Sequence, residues 1–241
     1  YHSLTAFFTL SAFYFFLKII WLENNNRDYW FFTIFSILVC FTDYPHFVYL
    51  QLLLNAYVIY KIIRKSNLIN LKKWVLSQVV VGLSFLPMAF LIYNRIFIQG
   101  DGGFERNNLL GNGPLHYISA ILMHFYDFFV GENTFPWNGW IFIPLTLVLL
   151  TCLTALIVKF KSLTARERII VAFSVAFIVI NVVFMNYADP RYNFTVIPKY
   201  GFVAFPLSII ALTICIKYLP WNIKITCLAI YAVAAVFGLS N

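Results

Sequence analysis

The chain has 241 residues, of which 62% are hydrophobic and only 11% charged, and its mean hydropathy is +0.82. A soluble domain carries roughly twice that charge, so the composition excludes an ordinary soluble enzyme and points to a polytopic membrane protein. The net charge of +8 does not mark a nucleic-acid partner, because there is no soluble basic domain to carry it.

A membrane-spanning helix needs about 20 apolar residues. Residues 4–22 form the first predicted span, closed by Glu23-Asn24-Asn25-Asn26-Arg27-Asp28. From Tyr29 to Ile63 the sequence is almost continuously apolar. As one helix it would exceed about 50 Å, against a hydrocarbon core of about 30 Å. It must therefore break, and Asp43-Tyr44-Pro45-His46 is the place: Pro45 lacks an N–H and biases Tyr44 away from helix. Two short spans, 29–42 and 46–63, follow from this. Lys61, Arg64, Lys65, Lys72 and Lys73 then make a basic loop, and span 74–93 contains Pro87, a predicted kink.

The long connection 94–139 carries the glycine-rich Gly100-Asp101-Gly102-Gly103 and a helical stretch at 115–130. The glycines lack the pattern of a nucleotide-binding loop. In the helix, His116, Ala120, His124 and Asp127 fall on one narrow stripe with apolar residues around it, the pattern of an amphipathic helix lying in the membrane interface. His124 and Asp127 are candidate metal ligands, although a solvated polar face explains them as well. Four more spans are predicted at 140–158, 169–187, 200–216 and 223–239. The fold class is all-α: a polytopic transmembrane helical bundle of about eight spans, residues 1–241 forming a single membrane domain, with one interfacial helix in an extracytoplasmic loop. The four cysteines, Cys40, Cys152, Cys215 and Cys227, all fall in apolar stretches and read as small buried hydrophobes.

Orientation follows from lysine and arginine. With Tyr1 outside, Arg27, the 61–73 loop, Lys159, Lys161, Arg166, Arg168, Lys217 and Lys224 all fall inside. Arg95, Arg106, Arg191 and Lys199 fall outside, together with the acids Asp43, Asp101, Glu105, Asp127, Glu132 and Asp189. Two outer segments carry candidate chemistry. Asp43 and His46 at the helix break are ionisable groups near membrane depth, where such groups are functional candidates by default, unless they merely cap short helices. In Asp189-Pro190-Arg191-Tyr192, with Lys199 following, Arg191 can grip a phosphate bidentately. The polar residues deeper in or near span ends are Lys18, Gln51, Asn55, Gln78 and Asn181.

Four short motifs, in this order, resemble the GT-C superfamily of integral-membrane glycosyltransferases. Within that superfamily the chain looks like the protein O-mannosyltransferase-like group, which includes the aminoarabinose transferases of lipid A. The start of the first span is similar to the family's Tyr-Ser-Leu. Thr42-Asp43-Tyr44 stands where many members have Thr-His-Tyr. Phe85-Leu86-Pro87 resembles the Phe-Leu-Pro closing a later span, and Pro190-Arg191-Tyr192 resembles the family's Pro-Arg-Tyr. The resemblance implies transfer of a sugar from a polyprenyl-phosphate donor to a glycan, lipid or protein acceptor on the extracytoplasmic face of the cell membrane. It implies that Arg191, Tyr192 and Lys199 hold the donor phosphate and that Asp43, Tyr44 and His46 line the cavity. Asp43 departs from the family's histidine. Many members carry a divalent metal, but no ligand set is fixed by this sequence. The family's catalytic acid lies in a first outer loop, expected before Tyr1, since the chain begins at Tyr1 and reads as the later part of a longer protein. The alternative is a transporter or flippase for a lipid-linked or anionic substrate, and the plainest reading is a membrane scaffold subunit.

Overall fold

The computed structural model of the chain describes residues 2–21, 25–64, 69–94, 139–188 and 201–240. They contain eight α-helices and, among the described residues, no strand. The helices are α1 (His2–Trp21), α2 (Asn26–Thr42), α3 (Tyr44–Ile63), α4 (Leu71–Tyr93), α5 (Gly139–Lys159), α6 (Ala165–Ala188), α7 (Gly201–Lys217) and α8 (Trp221–Ser240). A short 3-10 turn, Phe160–Ser162, follows α5. Each helix falls on one of the apolar stretches predicted from sequence. Among the described residues, four helices are long and apolar enough to cross a membrane: α1, α3, α4 and Ile143–Ser162, which is α5 continued into the turn after it. They mark the chain as a membrane protein. The predicted interfacial helix at 115–130 and the glycine-rich stretch lie outside the described residues.

The helices gather into two compact units, α1–α4 and α5–α8. In the first unit α2 is the central helix, packed against α1, α3 and α4. At 17 residues it is about 26 Å long, shorter than the hydrocarbon core. Its buried residues include Asp28, Thr33 and Ser36, and the Thr33 hydroxyl donates to the Tyr29 carbonyl at 2.8 Å, so this hydroxyl costs little inside an apolar helix. On α1 the buried positions Thr5, Thr9, Ala12, Phe16 and Ile19 recur at helical spacing. Lipid is as apolar as leucine, so helices in a membrane gain from close packing rather than from leaving the solvent, and small residues such as Thr5, Thr9 and Ala12 permit that approach. Aromatic rings complete the seam: Phe15 stacks on Phe31 at 4.9 Å, and Trp74 of α4 stacks on Phe32 at 5.0 Å.

α3 and α4 run antiparallel. The Phe47 and Phe85 rings meet at 5.3 Å near one end, and the Asn55 Nδ2 donates to Gln78 Oε1 at 3.0 Å further along. Trp74 Nε1 donates to Asn55 Oδ1 at 3.1 Å, and Asn55 Nδ2 also reaches the Gln51 carbonyl at 2.9 Å. The carboxamide of Asn55 is thus satisfied on both sides, as a polar group surrounded by hydrocarbon must be. Pro87 stands inside α4, which continues to Tyr93. In the second unit α6 packs on α7, and α5 packs on α7 and α8. Cys152, Cys215 and Cys227 share one buried cluster with Val148 and Leu212. All four cysteines are buried and unbridged, as small apolar side chains.

Candidate functional site

Asp43 is the single non-helical residue between α2 and α3, with φ −159° and ψ 95°. Its backbone N–H closes α2 on the Val39 carbonyl at 2.8 Å. Its side chain faces the start of α3, where the His46 N–H approaches Oδ1 at 3.5 Å and Pro45 occupies the first turn, which needs no N–H there. Two residues with poor helix continuation therefore produce the break that sequence length demands. A carboxylate here also meets the positive end of the α3 dipole.

The same geometry brings His46 back against Asp43. His46 Nδ1 lies 3.0 Å from Asp43 Oδ2, an ion-pair distance without the alignment of a hydrogen bond. Both are buried, His46 completely. The His46 ring meets Tyr49 edge-on at 5.6 Å. Tyr44 does not join them: it is 43% exposed. Residues two apart on a helix are separated by about 200°, so Tyr44 and His46 look to opposite sides of α3. The carboxylate beside an imidazole is an arrangement that can orient the ring. Of the other candidate residues, Arg191, Tyr192, Lys199, His124 and Asp127 lie outside the described residues. Among the described residues no cluster of histidine, cysteine and acidic side chains is suited to a metal.

The first unit is electrostatically polar from end to end. α3 carries Asp43 and His46 at its start and Lys61 and Arg64 at its close, about 30 Å away for 20 residues. Antiparallel α4 begins beside that close with Lys72 and Lys73. At the start of α2, Asp28 is 3% exposed and forms an ion pair with Lys18 of α1 at 3.0 Å. The sequence alone does not disclose this pair, since Lys18 reads only as a deep residue and Asp28 only as part of a loop. The ten-residue separation across a helical turnaround was its only signal.

The second unit shows the same gathering of basic residues, Lys159, Lys161, Arg166 and Arg168 around the α5–α6 connection and Lys217 and Lys224 around α7–α8. Here Glu167 is the organising anion. Thr164 and Glu167 form a reciprocal cap on α6: the Thr164 N–H donates to Glu167 Oε2 at 2.9 Å, and the Glu167 N–H donates to the Thr164 hydroxyl oxygen at 3.2 Å. Glu167 also accepts from Lys217 Nζ and from the Tyr218 hydroxyl, each at 2.6 Å, which ties the start of α6 to the end of α7.

These partners, Lys217 first and then Tyr218, hold the Glu167 carboxyl down to about 2 from its ordinary 4.5, and the Glu167 bond raises Lys217 above 10.5. Because the carboxyl value is lower in the folded state, its contribution is complete above about pH 5 and is lost as pH falls toward 2. Because the Lys217 value is raised, that side's contribution is present below 10.5 and is lost as pH climbs past it. Glu167→Gln is expected to lower the thermal midpoint at neutral pH and to flatten its dependence between pH 5 and 2. Unfolding of wild type and variant across that range in detergent checks this, and parallel curves would remove the link between α6 and α7.

Comparison with protein-family models, with curated proteins and with solved structures finds no match to this chain.

Proposed function

We propose that the chain is the membrane-embedded body of a glycosyltransferase. It takes a sugar from a polyprenyl-phosphate donor and passes it to an acceptor hydroxyl on the extracytoplasmic face of the cell membrane. In this reading it crosses the membrane eight times with its basic ends inside. The observation that carries it is the break at Asp43. The break leaves a buried carboxylate and imidazole at the end of α3 opposite Lys61 and Arg64, the end to which the GT-C resemblance assigns the donor. A lipid-phosphate donor needs a cation at headgroup depth on that face, and Arg191 supplies it, with Tyr192 and Lys199 beside it in sequence.

In the transfer, the acceptor oxygen bonds to the anomeric carbon as the bond from that carbon to the phosphate oxygen breaks. The acceptor proton passes to a base, and the polyprenyl phosphate leaves with its charge held by Arg191. No residue of this sequence is assigned as that base. Asp43 and His46 shape the floor of the cavity, and any divalent metal would draw on His124 and Asp127.

The test is sugar transfer from a labelled polyprenyl-phosphate sugar in membranes containing the protein. A charge-assisted bond to phosphate is worth about 1.5–3 kcal/mol, so Arg191→Ala should reduce transfer by roughly 10- to 150-fold at unchanged expression, and Arg191→Lys should recover part of it. Undiminished transfer by Arg191→Ala removes the donor assignment. The second reading, a transporter or flippase, draws on the Gln51 side chain, whose buried Nε2 and Oε1 have no hydrogen-bond partner among the described residues. Translocation of the lipid-linked sugar without transfer would select it.

A further inference from the structure

In the second unit α5 meets α7 and α8 through the small side chains of Cys152, Cys215 and Cys227. Beside that seam a groove of about 420 Å³ opens, with α5 as one wall and the α7–α8 connection Tyr218–Pro220 as the other. Val148, Cys152, Ala155 and Lys159 recur at helical spacing on the side of α5 turned toward α7 and α8. Val148 and Cys152 are buried in the seam, whereas Ala155 and Lys159 line the groove, so Lys159 enters it at its mouth. The neighbouring stripe Leu147, Thr151, Thr154 and Val158 faces outward along the same groove. From Leu147 to Lys159 the wall is about 18 Å long, close to the roughly 15 Å depth of one leaflet's hydrocarbon. The two threonine hydroxyls donate to their own helix, to the Leu147 carbonyl at 2.7 Å and the Leu150 carbonyl at 2.8 Å, so the wall presents no unmet polar group there. It is open to the bilayer, Leu147 being 58% and Val158 69% exposed.

Lys159 is exposed and makes no ion pair among the described residues. Residues 158–164 and 217–221, which surround the mouth, are all described and contain no acid. Glu167 is the sole acid between residues 133 and 188, and none follows Asp189. Glu167 is committed to Lys217, Tyr218 and Thr164, and its bond from the Tyr218 hydroxyl at 2.6 Å fixes the ring that forms the facing wall. The groove is thus built before anything enters it, which spares a ligand the cost of ordering that side chain. Trp221, 70% exposed at the start of α8, is an interfacial aromatic and sets this end at headgroup level. An apolar slot one leaflet deep therefore ends at a lysine that no acid of this unit neutralises.

We propose that this groove holds one anionic phospholipid from the leaflet at the basic end, an acyl chain along Leu147, Thr151, Thr154 and Val158 and the phosphate on Lys159. Hydrocarbon fills an apolar slot that water fills poorly, and an anionic headgroup matches the charge at its mouth. A zwitterionic lipid fits the slot but brings its own cation to a basic site. Neither Asp43 nor Arg191 belongs to the groove, so the proposal goes beyond the glycosyltransferase reading and is independent of it.

Native mass spectrometry of the whole protein tests it, with dioleoyl phosphatidylglycerol against dioleoyl phosphatidylcholine added in equal amounts. Phosphatidylglycerol should be retained at least about fivefold better, and Lys159→Gln should remove most of that preference. Lys161→Gln takes an equal charge from two residues away, outside the lining, and should weaken retention by less than about twofold, because its charge acts only through screening water. Thr151→Trp fills the slot and should lose the lipid with Lys159 intact. Thr154→Trp repeats the block from an exposed position should Thr151→Trp fail to fold. Equal retention of the two lipids overturns the proposal. So does an equal loss in Lys159→Gln and Lys161→Gln, or full retention in a folded slot variant, either of which would mean headgroup attraction to a basic surface and no groove site.

Discussion

His46→Leu is expected to destabilise the first helical unit by about 3 kcal/mol, the low end for stranding a buried carboxylate. Asp43 is 6% exposed, and removing the imidazole leaves its carboxylate without the ring nitrogen that stands at 3.0 Å. The start of the α3 dipole remains to favour the charge, which keeps the cost at the low end. Asp43→Ala should cost less, about 1–2 kcal/mol, because the neutral imidazole that remains is far cheaper to bury than a carboxylate and the main loss is the cap. Asp43→Asn with His46→Leu retains a capping side chain and buries no charge, so it should lie closer to wild type than His46→Leu alone. Detergent-based unfolding of the three variants checks the order. A cost for Asp43→Ala above that for His46→Leu would mean that Asp43 matters chiefly as the cap of α3. The same variants separate fold from function, since a stable double variant without sugar transfer would place the pair in the chemistry.

Trp74→Ala should cost a comparable amount, about 3 kcal/mol. Trp74 is 3% exposed, stacked on Phe32 and 5.6 Å from the Phe16 ring, and its indole N–H holds Asn55. In water such a loss would include the transfer of apolar surface. In lipid that part nearly vanishes, because the unfolded helices are already in hydrocarbon, and what remains is lost dispersion, a cavity and an orphaned carboxamide oxygen. Trp74→Phe keeps a ring in the stack and removes only the N–H, and so should cost about 1 kcal/mol. Equal losses for the alanine and phenylalanine variants would show that the Asn55 bond, not the stack, joins α4 to the rest of the unit. Asn55→Leu should then reproduce the whole effect.

The positions of the helices and the break at Asp43 could be read from the sequence. In hydrocarbon every backbone group must be bonded within its own helix, so apolar length alone dictates where helices run. A run too long for the membrane must break where proline and a capping acid allow it. Charges collect at helix ends because burying them mid-span is costly. What only the tertiary structure decided is which faces meet. Most residues of α1, α2 and α4 are apolar on every side, so no amphipathic stripe marks a packing face as it would in water. That is why Tyr44 could be grouped with His46 although it looks the other way, and why the Lys18–Asp28 pair was not anticipated. The 50-residue reach from Glu167 to Lys217 was hidden for the same reason: in lipid, packing and polar complementarity choose partners, and both exist only once the helices are side by side.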